Sequence, residues 1–193
     1  MILSNEEIRK ALRGGDIALT PEPGEDQYTT SAVDLFLGNQ FRVWEEKLFK
    51  AKGAHIELNL AEQQFSQTAG AFLVDKTRES DGTVVLAPGS FVLAITRERI
   101  HLRHEARIAA RVEGRSSLAR IGLIVHLTAP TIHAGFEGNV TLEMVNHGPF
   151  YLKLVPERTR ICQLIFERLG ETPSSPIATD FQGQADPSGA RRA

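Results

Sequence analysis

The stretch from Glu113 to Gly122 packs together Arg115, Ser116, Ser117 and Arg120, with glycines at 114 and 122. Gly114 allows a sharp turn after a strand, and Ser116 or Ser117 can cap the short helical turn that follows. Two hydroxyls, two guanidiniums and the free N–H groups of such a turn make a cradle for phosphate. Ser116 and Arg120 are four residues apart, so on a helical turn both can face one ligand. Taken alone, the segment also reads as a capped turn carrying solvated arginines. A second candidate lies between Gly138 and Asn146. Period two puts Val140, Leu142 and Met144 on one face, and Thr141, Glu143 and Val145 on the other. A carboxylate amid such apolar neighbours either lies on a solvated edge or is half-buried. Half-burial raises a carboxyl pKa towards neutrality and suits a general acid/base.

The histidines at 55, 101, 104, 126, 133 and 147 show no H-x-E or H-E-x-x-H spacing. The zinc deaminase pattern needs cysteines that a chain with Cys162 alone lacks. Any deamination here would have to activate water with protein groups, without zinc. Cys162 sits beside Ile161 and Leu164 and reads as a buried structural thiol. An intrachain disulfide is ruled out by the same count.

These residues must be positioned by strands. After a short N-terminal helix, the pattern switches to period two. Ser4 and Glu7 have capping-box spacing, Leu3 and Ile8 staple spacing, and Gly14-Gly15 supplies the stop. Ile8 and Leu12 are the expected docking side chains. Candidate strands are 32–37, 40–44, 55–60, 84–87, 91–96, 108–112, 123–127, 139–145, 151–155 and 161–166, punctuated by Pro88-Gly89, Gly135, Gly138 and His147-Gly148-Pro149. That spacing predicts a mainly β fold of distorted jelly-roll or barrel type, in one domain over residues 1–193, with the helix in residues 1–15. Residues 170–193, with Pro173, Pro176 and Pro187, read as an extended arm, disordered or held by a ligand or a neighbouring subunit. A net charge of −2 supplies no global field for nucleic acid. The charged N-terminus and the lack of a long apolar run predict no signal peptide and no membrane span, and place the protein in a reducing cytoplasm.

Taken together, these segments resemble the dCTP deaminase family of the dCTP deaminase/dUTPase superfamily. The resemblance is carried by Met1-Ile2-Leu3-Ser4, Ser31-Ala32-Val33-Asp34-Leu35, Pro88-Gly89-Ser90-Phe91-Val92-Leu93-Ala94 and, most specifically, Val112 through Leu123. Val125-His126, Thr128-Ala129, Gly135-Phe136-Glu137-Gly138, Thr141-Leu142-Glu143, Ile161-Cys162-Gln163-Leu164 and Phe181-Gln182-Gly183-Gln184 continue it collinearly. The resemblance implies a dUTPase-like β-barrel assembled as a homotrimer, with active sites shared between neighbours. It implies a deoxypyrimidine nucleoside triphosphate bound with Mg²⁺, and hydrolysis of dCTP to dUTP and ammonia. Glu143 is then the general acid/base, with Ser116 and Arg120 holding the water, the base edge and Glu143. Arg115 and Ser117 support phosphate binding, and the backbone around Ala129 positions the water. Thr141 and Leu142 belong to the strand that recognises the pyrimidine, and Gln184 closes over the triphosphate. Leu118, Ala119 and Gln163 are carried over as further substrate-binding positions.

Four positions depart from the family pattern. His133 replaces an Asp near the sugar, which counts against pyrophosphate release from dUTP. Asp180 stands where a basic residue is usual, Phe181 where a tyrosine is frequent, and Pro130 stiffens the loop after Ala129. A dUTP diphosphatase, a bifunctional deaminase–diphosphatase and a non-catalytic trimeric nucleotide-binding regulator remain as alternative readings.

Overall fold

The computed structural model describes residues 1–45, 56–62 and 64–189. Helix α1 (Asn5–Arg13) begins as its sequence dictates: Glu7 N donates to Ser4 Oγ at 3.3 Å, and Ser4 N donates to the Glu7 carboxylate at 2.9 Å. Hydrogen bonds from Ser4 N and Ser4 Oγ to the Glu7 carboxylate hold that group below its usual range. Leu3 and Ile8 are fully buried, as staple partners should be. Ala11, rather than Leu12, is the second fully docked side chain.

Eleven strands follow among the described residues: β1 (Ile17–Thr20), β2 (Val33–Trp44), β3 (Leu73–Asp75), β4 (Val84–Leu86), β5 (Phe91–Leu102), β6 (Ile108–Gly114), β7 (Leu123–Ile124), β8 (Thr131–Ile132), β9 (Glu137–Asn146), β10 (Leu152–Leu154) and β11 (Arg160–Arg168). Nine form one antiparallel sheet in the order β7-β9-β5-β2-β11-β6-β8, with β1 added on β5 and β3 on β2; β4 and β10 pair separately. The sheet curls into a half-barrel around Leu35, Leu37, Val92, Ala94, Leu142, Met144, Leu164 and Phe166, all fully buried. Each of these side chains larger than alanine stabilises the fold by roughly 1.5–3 kcal/mol.

The curl is made at irregularities. Register shifts between Leu37 and Phe41 on β2, and between Ile95 and Arg99 on β5, break the ladders. Side chains replace the missing ladder bonds: Val140 N donates to Thr96 Oγ1 at 2.9 Å, and Asn139 Nδ2 donates to Thr96 O at 3.0 Å.

Several expectations need correction. The candidates at 32–37 and 40–44 are one strand, because the intervening Gly38-Asn39 lies at a bulge and not a hairpin. His55 of the 55–60 candidate lies outside the described residues, and Ile56–Leu60 form no strand. Leu58 and Leu60 are exposed there, since alternation without a pairing neighbour makes no sheet. The 123–127 candidate shrinks to two residues. Gly138 is not a turn but lies within β9, where the backbone of Gln184 approaches it closely. Unforeseen were β1, β3, β8 and helix α2 (Phe65–Phe72), each too short or too weakly periodic to stand out.

The tail is more tightly held than an extended arm. Gly183 N donates to Glu137 O at 2.7 Å, and Asn139 N donates to Gln184 O at 3.0 Å, so the tail covers the end of β9. Asp186 receives Arg42 at 3.0 Å, and Phe181 meets Phe65 edge-on.

Candidate active site

Strand β9 carries the candidate acid/base. Leu142 and Met144 are fully buried in the core, while Thr141 and Glu143 emerge on the opposite face, beside Ile95 and Leu93 of β5. That face opens into a cavity of about 610 Å³. Its walls are mainly apolar: Trp44, Phe65, Phe91, Leu93, Val112, Ile132, Phe136, Val140, Ile177 and Phe181. The polar groups that reach it are few, as in a typical small-molecule site. They are His126, Thr131, His133, Thr141, Glu143, Thr179 and Gln184.

Among the described residues Glu143 is the cavity's single carboxylate, and no lysine or arginine lines it. Among the described residues none forms an ion pair or hydrogen bond with its carboxylate. Three other groups are poised in the same way. Thr141 Oγ1, His126 Nδ1 and Gln184 Oε1 are buried without a partner. Leaving such atoms unpaired costs about 1–3 kcal/mol each, a cost that a polar ligand removes.

The loop beneath is fixed by β8, whose Thr131 and Ile132 pair with Arg111 and Ala110 of β6. Pro130 takes part, its carbonyl accepting from Val112 N at 2.9 Å. Ala129, Pro130 and His133 therefore line the cavity beside Glu143. Gln184 is 5% exposed and donates through Nε2 to Asn139 O at 2.7 Å. It faces the cavity from within its own chain. Asp180 is exposed and outside the lining.

The second candidate cluster lies elsewhere on the chain. Residues Ser116–Ala119 form α3, a single helical turn, with Arg120 at its end. Its N-cap is Arg115, without a side-chain cap bond, so neither Ser116 nor Ser117 caps it. Ser116, Ser117, Ala119 and Arg120 are exposed, Leu118 is partly buried, and none of them lines the Glu143 cavity. Arg115 turns back towards the sheet, with Nη2 3.2 Å from Asp34 Oδ2 and Nη1 donating to Arg160 O at 3.3 Å. Gln163 likewise donates to Asp34 Oδ1 at 3.2 Å. The turn is anchored through Gly122, where His147 N donates to Gly122 O at 2.8 Å. Leu142 is enclosed in the core, so only its backbone can reach a ligand.

One chain thus gathers Glu143, Thr141, Ala129, His133 and Gln184, and sets Arg115, Ser116, Ser117 and Arg120 apart. Sequence reading missed the apolar walls, since Trp44, Phe65 and Phe136 come from segments without chemistry of their own. His126 reaches the cavity although no motif spacing in the sequence marks it. Among the described residues no three His, Cys, Asp or Glu side chains gather as a metal-holding group, and no helix is long and apolar enough to cross a membrane.

The fold is a curled antiparallel half-barrel with a carboxylate-bearing cavity on one face. In architecture it is similar to 2'-deoxycytidine 5'-triphosphate deaminase from Agrobacterium tumefaciens, with a TM-score of 0.61 and 20% identity; the match spans 88% of this chain and 49% of that one, about half its length. Residues 2–169 match the family described as dCTP deaminase-like. A dCTP deaminase from Rhodospirillum rubrum is 40% identical over 178 residues, covering 92% of this chain and 88% of that protein. A dUMP-forming dCTP deaminase from Methanosphaera stadtmanae is 37% identical over 192 residues, covering 96% and 91%. The chain belongs to the dCTP deaminase-like family.

Proposed function

We propose that the protein is a hydrolytic deaminase that converts dCTP to dUTP and ammonia, with Glu143 as its general acid/base. The observation that carries this reading is the unpaired Glu143 carboxylate at the wall of an otherwise mostly apolar cavity, flanked by the partnerless atoms Thr141 Oγ1, His126 Nδ1 and Gln184 Oε1. The cytosine ring enters that cavity. Glu143 takes a proton from water as the oxygen adds to C4, and delivers it to N3. The tetrahedral intermediate then collapses: Glu143 takes the proton of the C4 hydroxyl and passes it to the exocyclic amine, the C4–N bond breaks, and ammonia leaves as the C4 carbonyl forms. Thr141 and Gln184 offer hydrogen bonds to the ring edge, and the backbone at Ala129 orients the water.

Among the described residues no cation lines the cavity, so a triphosphate bound there would draw on basic groups from outside it. Arg115, Ser116, Ser117 and Arg120 supply the right chemistry on a separate surface, which supports a homotrimer in which a neighbouring copy completes the site. Mg²⁺ enters with the phosphates. The cavity's own donors, one carboxylate and two imidazoles, suit a hard, oxygen-seeking ion poorly. The family resemblance supports a cytoplasmic location.

The test is product analysis of purified protein with Mg²⁺ and dCTP, dCMP or dUTP. Ammonia and dUTP from dCTP are expected. Ammonia with dUMP and pyrophosphate would place this chain with its dUMP-forming relatives, and would show that His133 does not block phosphate release. Nucleotide binding without ammonia would overturn the deaminase reading.

A further inference from the structure

The outward face of β2 and β11 carries a buried carboxylate that the reaction above leaves unused. Asp34 is only 5% exposed at its side chain, yet Val33 and Leu35 beside it are apolar core residues. Burying a carboxylate costs several kcal/mol before any pairing. A purely structural position between these strands would be met more cheaply by another aliphatic side chain. The cationic group nearest to Asp34 is Arg115, at 3.2 Å, with Arg160 at 4.0 Å. Gln163, its cross-strand partner on β11, donates to the other carboxylate oxygen.

The three strands β2, β11 and β6 lie side by side, and Arg115 leaves the end of β6 at the start of α3. We infer that Asp34 is a positioning residue for Arg115: it fixes the guanidinium at the base of the Ser116–Arg120 turn so that its remaining N–H groups meet a nucleotide's phosphates. A guanidinium held in one rotamer loses less entropy when it binds phosphate. Gln163 sets the carboxylate, and the Arg160 carbonyl takes a second Arg115 donor, so the guanidinium is fixed at two points. This inference rests on the reading that Arg115 binds phosphate.

A double-mutant cycle on the full-length protein tests it, with Asp34→Asn, Arg115→Gln and the double variant. The readouts are Mg·dCTP affinity by calorimetry, steady-state ammonia release, and thermal melting. Asp34→Asn should weaken Mg·dCTP binding and raise KM about 30-fold, with kcat changed less than threefold. Added to Arg115→Gln it should cost almost nothing further. Additive losses, or unchanged affinity in a folded Asp34→Asn protein, would overturn the inference. Asp34→Glu keeps the charge but displaces it, and repeats the cycle if the Asn variant does not fold. Wild-type protein that binds Mg·dCTP without releasing ammonia would sink the deaminase reading while the affinity cycle still decided this one. Arg115→Gln without effect on affinity would remove the phosphate role itself and this inference with it.

Discussion

Replacing Thr141 by Val separates what the cavity needs for function from what the fold needs for stability. Thr141 Oγ1 is buried beside Glu143 with no hydrogen-bond partner in the free protein. An unpaired buried hydroxyl costs about 1–3 kcal/mol, and valine has nearly the same shape and an equal or better fit to a strand. The variant should therefore be more stable by about 1 kcal/mol, which for a chain of this size raises Tm by roughly 2–4 °C. The ligand loses one neutral hydrogen bond, about 0.5–1.5 kcal/mol, so nucleotide affinity should fall by roughly 2- to 12-fold. Calorimetric melting at matched protomer concentration reads the first effect. The second is read by fluorescence of Trp44, the chain's single tryptophan, which lines the cavity. A lower Tm would mean that the hydroxyl is satisfied in the free protein. A higher Tm with unchanged affinity would mean that Thr141 does not face the nucleotide.

Glu143→Gln should lower kcat by roughly 10²–10⁴ while changing dCTP affinity less than about fivefold, as Trp44 titration and ammonia release would reveal; a fully active variant would rule out Glu143 as the acid/base. Gly122→Ala should destabilise by roughly 3 kcal/mol, because φ is +92° there and a Cβ would stand 2.2 Å from Gly148 N; melting checks this, and an unchanged Tm would show that the two turns can part freely. Burial pushes the Asp186 carboxyl up, but hydrogen bonds from Ser188 and Arg42 outweigh it and hold the group below its usual range. Its contribution to tail docking is therefore complete above the unfolded carboxyl value of about 3.9 and lost as pH falls through the lower folded value. Hydrogen exchange at the Gly183 and Asn139 amides should accelerate in that acid window, and at neutral pH in Arg42→Gln, ahead of global unfolding. Cys162 is fully buried, and that burial, with the nearby Glu98 and Asp34 charges, pushes its thiol well up; the native protein should resist thiol reagents at pH 8 and react once unfolded.

Much of the architecture was legible because its causes are local. The capping box at Ser4 and Glu7 needs only residues three apart, and β9 announces itself by alternation that holds under one buried face. The family resemblance likewise lay in contiguous residues, above all Val112 through Leu123. What failed was what depends on a partner. Ile56–Leu60 alternates like a strand but pairs with no strand among the described residues, and Gly38-Asn39 separates two candidate strands until pairing with β5 makes it a bulge within one. Gly138 reads as a break until the tail backbone is seen beside it.

The chemical residues divide along the same line. By itself the sequence established which groups are present: one cysteine, no zinc motif, a carboxylate at 143 in an apolar strand, and a cluster of serines and arginines from 115 to 120. Tertiary structure decided their company. It placed Glu143, His126, His133 and Gln184 around one cavity although up to 58 residues of chain separate them. It also set the Arg115–Arg120 turn on another surface and buried Asp34 beneath Arg115. Local patterns record the backbone's preferences and the face each side chain takes, whereas which faces meet is settled only when the half-barrel closes and distant strands bury their apolar sides together.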